Sequence, residues 1–74
     1  MKKTISIVEK EVAKRLRSAR QKADMSQTEL ADVAGIERKT VNRIECGHFS
    51  PSLETLTRLC AALDTKLSAF LKGI

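Results

Sequence analysis

Four side chains capable of directional hydrogen bonding crowd one short stretch: Arg38, Lys39, Asn42 and Arg43, within ERKTVNRIE from Glu37 to Glu45. On a helix, Val41 and Ile44 face inward and these four are left outside. Arginine holds two N–H groups in a rigid fork that matches guanine O6 and N7 on the major-groove edge. Lysine is a flexible point charge, as well suited to a phosphate as to a base. Asparagine can bond adenine, although the place of Asn42 on the helix favours the nucleic-acid backbone. The plain alternative is a solvated charged face, and the flanking elements must decide between the two.

Those elements are well marked. Ser26 is placed to cap a helix, with Glu29 three residues on to complete a capping box. Met25 before the cap and Leu30 within the helix can form a hydrophobic staple. The helix is expected from about Gln27 to Val33, with Leu30, Ala31 and Ala34 turned inward. Gly35 supplies a positive-φ turn and Ile36 an apolar plug. A third helix then runs from about Glu37 to Cys46, stopped by Gly47. Two short helices joined by a tight glycine turn have the spacing of a helix-turn-helix. In that motif the second helix enters the DNA major groove.

Ahead of this unit, Val8, Val12, Leu16 and Ala19 recur at three- and four-residue steps, predicting a helix from about Val8 to Ala23. Arg20 falls on its buried side and needs a partner, because an unpaired buried charge is costly. Glu45, close to the inward face of the third helix, is the natural one. Residues 1–7 alternate polar and apolar at Thr4 to Ile7, which reads as a frayed terminus or as an apolar arm or short strand meeting a second protomer. After Gly47, either Ser52, or Ser50 with Pro51 at the first helical position, can cap a fourth helix. Leu53, Leu56, Leu59, Cys60 and Leu63 form its core stripe, and Leu67, Phe70 and Leu71 a short fifth helix. The expected fold is all-α: one compact five-helix domain over residues 8–74, with the helix-turn-helix at helices two and three.

The 74 residues leave room for one small domain, and 14 Lys+Arg against 9 Asp+Glu give a net charge of +5. The excess suits a polyanion. No apolar run reaches the roughly 20 residues of a membrane span. Glu9, Lys10 and Glu11 interrupt any signal-peptide core after Lys2 and Lys3, so a cytoplasmic location without membrane contact is expected. Cys46, His48 and Cys60 do not make a closed zinc shell, because Cys60 sits on a core stripe. His48 is the only histidine and has no nucleophile beside it. Neither an enzyme nor a metal or other cofactor is expected.

The chain resembles the phage repressor and Cro-like (XRE-type) helix-turn-helix family from about Val12 to Leu71. The matching segments are LRSAR from Leu16, SQTELA from Ser26, Gly35-Ile36, VNRIE from Val41, Gly47 and PSLETL from Pro51. The resemblance implies that Arg20 and Glu45 pair internally. It implies that Arg38, Lys39 and Arg43 read bases, and that Gln27, Thr40, Asn42 and the loop through His48 and Ser50 hold the DNA backbone. The start of the fourth helix at Ser52 offers further phosphate donors. Asp24 and Asp64 stand where the family commonly has glycine, and Glu37 where it has a Ser or Thr cap. Thr65 and Lys66 replace an apolar residue and a cap, which predicts a loosely held fifth helix.

On this reading the chain is a sequence-specific transcriptional regulator, a repressor binding an inverted repeat of double-stranded DNA as a homodimer. An antitoxin that binds a toxin and regulates its own gene, and a restriction–modification controller, are the alternatives. The dimer surface is expected at the Ile5/Ile7 arm or at the fifth helix with Ile74.

Overall fold

A computed structural model describes residues 2–74, with side chains from Thr4 onward. Five helices follow in order: α1 (Lys2–Lys22), α2 (Gln27–Ala34), α3 (Arg38–Glu45), α4 (Leu53–Ala62) and α5 (Leu67–Phe70). Among the described residues there is no strand. Helix α1 packs on α3, α2 on both α3 and α4, and α4 on α5. Leu16, Leu30, Val41, Ile44 and Leu59 are almost fully enclosed at the centre. Met25, Ile36, Phe49, Leu56, Leu63, Leu67 and Leu71 pack around them.

The terminal arm is corrected: Thr4 to Ile7 belong to α1 rather than to a strand or separate arm. Ile5, Val8 and Val12 are three and four residues apart, so a helix puts them on one side. There they line a shallow apolar groove with Leu56, Leu71 and Ile74. Met1, also assigned to the arm, lies outside the described residues. A second correction concerns Leu53, which is 68% exposed rather than part of the core stripe. It opens the first turn of α4, one turn before Leu56 reaches the core.

The helix ends explain why the departures at Asp24 and Asp64 are tolerated. Helices α1, α2 and α4 stop at left-handed residues, Asp24 (φ 58°), Gly35 (φ 72°) and Asp64 (φ 53°). In each, the next N–H returns to a carbonyl five residues back: Met25 to Arg20, Ile36 to Ala31 and Thr65 to Cys60. That bond satisfies a carbonyl the helix leaves free, and Asp enters the left-handed region more readily than most residues. Gly35→Ala keeps the φ but adds a Cβ, at 3.3 Å from Arg58 Nη1, a side-chain end that can move away. The conformational cost therefore dominates, and the substitution is expected to lower unfolding stability by about 1–2 kcal/mol in urea.

Helix α5 is better held than its cap suggests. Lys66 makes no side-chain cap bond. Arg15 of α1, however, donates through Nη1 to Phe70 O at 2.8 Å and Lys72 O at 2.6 Å, and through Nε to Glu11 at 2.9 Å. The free carbonyls at the end of α5 thus receive a charged donor from the first helix.

Candidate nucleic-acid interface

The face of α3 is positioned by a single carboxylate. Glu45 is 4% exposed and lies where α1, α2 and α3 meet. Arg20 donates to both of its oxygens, Nε to Oε2 at 2.7 Å and Nη2 to Oε1 at 3.0 Å. Its remaining Nη1 donates to Met25 O at 2.9 Å, binding the α1–α2 corner into the same junction. Arg17 adds a bond to the Glu45 main-chain carbonyl at 2.8 Å and a longer contact to Oε1 at 3.7 Å. The expected Arg20–Glu45 pair is therefore formed, as a two-bond fork that fixes angle as well as distance.

Burial opposes the charge on Glu45, but the hydrogen bonds from Arg20 and Gln27 and the charges of Arg20 and Arg17 outweigh it. Its carboxyl sits below the ordinary glutamate value. The carboxyl of Glu29 is lowered too, by the Ser26 backbone N–H and then the Ser26 side chain of the capping box. A lowered folded value means that this stability is fully present above the unfolded value and disappears as pH falls through the folded one. Helical circular dichroism in urea should thus give a constant midpoint from neutral pH to about pH 5, with a decline starting near 4.5. A midpoint that stayed constant well below pH 4 would contradict this role of the two carboxylates.

The capping box at α2 is complete: Ser26 Oγ accepts from Glu29 N–H, and Glu29 Oε1 accepts from Ser26 N–H, both at 3.0 Å. At α3 the cap position holds Glu37, whose side chain makes no cap bond. Arg38, Lys39 and Arg43 are all exposed on α3. Among the described residues none of the three enters an internal ion pair. Their charges are available to a ligand.

The residues expected at the DNA backbone divide into several environments. Gln27 is half-buried, and its side chain turns inward to Glu45 and Asn42. Thr40 is half-buried on α3, and His48 is exposed beside Arg43, Cys46 and Phe49 in a shallow cleft. Ser50 donates to the carboxylate of Glu9 in α1. Ser52, not Ser50, caps α4, its hydroxyl accepting from Thr55 N–H at 3.1 Å. Cys60 lies in the core, apart from the cleft that holds Cys46 and His48. Burial raises the Cys60 thiol.

Sequence reasoning missed Arg17, Arg15 and the Gln27–Asn42 contact. Arg17 precedes Arg20 by three residues, a helical spacing that could have directed it to the same carboxylate. Arg15 and Glu11 carry the four-residue spacing of a helical ion pair. Nothing local marks Gln27 and Asn42 as neighbours, because their meeting depends on how α2 crosses α3.

The helix-turn-helix profile HTH_3 matches residues 16–70. An uncharacterized HTH-type transcriptional regulator of Haemophilus influenzae is 40% identical over 55 residues, covering 74% of this chain and 56% of the relative. A prophage-derived HTH-type regulator of Bacillus subtilis, YonR, is 37% identical over 59 residues, covering 80% and 55%. The chain thus spans about half the length of these curated relatives. Among solved structures, the restriction-modification controller protein C.AhdI from Aeromonas hydrophila superposes with a TM-score of 0.81 at 31% identity, covering 84% of this chain and 94% of that one. The matched profile begins at Leu16 and takes in the Glu45 junction, the glycine turn and the exposed face of α3. This chain belongs to the XRE-type helix-turn-helix family, HTH_3.

Proposed function

We propose that the chain is a sequence-specific DNA-binding transcriptional regulator that represses from an inverted-repeat operator as a homodimer. The observation that carries the reading is the exposed Arg38, Lys39 and Arg43, in no ion pair among the described residues, on a helix held from behind by Glu45. Arg38 lies in the first turn of α3, the part that reaches deepest in this docking geometry. It is assigned to guanine, with Arg43 and Lys39 at neighbouring bases or phosphates. The N-termini of α2 and α4 supply backbone N–H donors to flanking phosphates. Gln27, Thr40, Asn42, His48, Ser50 and Ser52 lie at or beside this surface in the proposal.

One helix reads too few base pairs for genomic specificity, so two copies are required. The two expected dimer regions are one surface: Ile5 and Val8 of α1 share a groove with Leu71 and Ile74. Ile5, Ile7 and Ile74 are exposed there or nearby. Ile5→Asp is expected to shift sedimentation toward the monomer, and an unchanged dimer would remove this surface from the proposal. Selection from random duplexes should enrich two half-sites with centres about 34 Å, or one helical turn, apart. Affinity should fall linearly with salt on a double-logarithmic plot, by roughly 0.9 per phosphate neutralised. A flat salt response, or no enriched site, would contradict DNA reading.

The likeness to C.AhdI, over nearly all of that chain, favours a restriction–modification controller as the second reading. Methyltransferase and endonuclease genes beside this one would select it. A toxin gene there, with its product bound to this chain, would select the antitoxin reading instead.

A further inference from the structure

We infer that Gln27 is a positioning residue that sets the orientation of the Asn42 amide, making Asn42 an adenine-reading side chain rather than a backbone contact. The inference rests on the DNA-reading proposal above and adds one specificity position to it.

The orientation follows from a chain of hydrogen bonds with only one consistent polarity. The Glu45 carboxylate, kept ionised by Arg20, only accepts, so the Gln27 group facing it must be the amide nitrogen. Gln27 Nε2 lies 3.1 Å from Glu45 Oε1. That leaves Gln27 Oε1 facing outward as an acceptor, and Asn42 Nδ2 donates to it at 3.4 Å. Asn42 Oδ1 is thereby turned the other way, where the exposed Cys46 thiol lies at 3.8 Å as a weak donor. A buried ion pair thus dictates which end of an exposed amide faces which way.

An oriented amide differs chemically from a freely rotating one. Phosphate oxygens only accept, so Asn42 Oδ1 has no partner on the DNA backbone. Its suitable partner is an amino group on a base edge. Adenine offers N6–H₂ beside the N7 acceptor, and Asn42 keeps a second N–H for N7. Asn42 is exposed on α3, one turn after Arg38. Because Gln27 is itself tethered, the amide is ordered before DNA arrives, and less side-chain freedom is lost on binding.

The test compares sites selected from random duplexes by the unaltered chain and by Arg38→Ala, Asn42→Ala, Asn42→Asp and Gln27→Met. Methionine retains helix propensity and bulk but neither donates nor accepts through an amide, and thermal melting confirms that each variant is folded. The unaltered chain should show one adenine position whose preference falls roughly five- to tenfold in both Asn42→Ala and Gln27→Met. The double variant should lose no more than Asn42→Ala alone, because both changes break one linkage. Asn42→Asp, an exposed change that does not depend on Gln27→Met folding, should move the preference at that position from adenine toward cytosine, whose N4 amino group a carboxylate accepts. Uniformly weaker binding with an unchanged site profile in the Asn42 and Gln27 variants would overturn the inference, as would a profile that Asn42→Ala alters and folded Gln27→Met does not. If the unaltered chain enriches no site, the DNA-reading proposal itself fails. A site whose guanine is relaxed by Arg38→Ala, with the other variants unchanged, removes only this inference.

Discussion

Glu45→Ala is expected to lower folding stability by about 3–5 kcal/mol. The substitution removes one acceptor but strands several donors. Arg20, with a side chain only 14% exposed, loses both carboxylate bonds, and Gln27 loses its partner. Removing one member of a buried pair costs about 3–5 kcal/mol, because the remaining charge stays desolvated. At roughly 0.05–0.15 kcal/mol per residue, the 74 residues carry a total stability on the order of 4–11 kcal/mol. The loss is therefore a large share of the whole. Replacing both partners, Arg20→Met with Glu45→Leu, should recover much of it, since an apolar pair of similar bulk has no charge to desolvate. Urea unfolding followed by helical circular dichroism measures both variants. A Glu45→Ala midpoint within about 1 kcal/mol of the unaltered chain would show that the junction is not the anchor described here.

Arg38→Ala should have the opposite profile. Arg38 is exposed and, among the described residues, enters no ion pair, so folding stability should stay within about 0.5 kcal/mol. Affinity for the selected operator should fall by about 1–3 kcal/mol, as expected for one lost arginine–guanine contact, and preference at that base pair should relax. Binding to random duplex should change less, because phosphate neutralisation is shared among many side chains. Fluorescence anisotropy with both duplexes at one salt concentration separates the two effects. Equal losses on both would reassign Arg38 to a phosphate.

Much of the architecture was readable from spacing because it rests on local rules. The Ser26–Glu29 capping box, the Gly35 turn and the Ser52 cap are formed from residues within a few positions of one another. The Arg20–Glu45 pair was also legible, since each residue sat on the apolar side of its own helix. Errors came where a local pattern had two meanings. The alternation from Thr4 to Ile7 suits a strand, but Ile5, Val8 and Val12 also continue a helical stripe, and that stripe packs beside Leu71 and Ile74. Leu53 has the period of a core residue but comes before the core begins. Within the candidate interface, α3's outward face was legible from its apolar period. The inward turn of Gln27, the clamp of Arg15 on α5 and the Ser50–Glu9 contact were not, because each depends on side chains meeting across helices distant in sequence.

In the proposed complex α3 presents its Arg38–Arg43 face to the major groove. Titrating isotope-labelled chain with its selected duplex, and following each backbone amide by NMR, tests it most directly. The largest shifts should run from Arg38 to Arg43 and at the starts of α2 and α4, with the outer face of α5 little changed. Shifts concentrated on α5 and the first turns of α1, with α3 undisturbed, would contradict it.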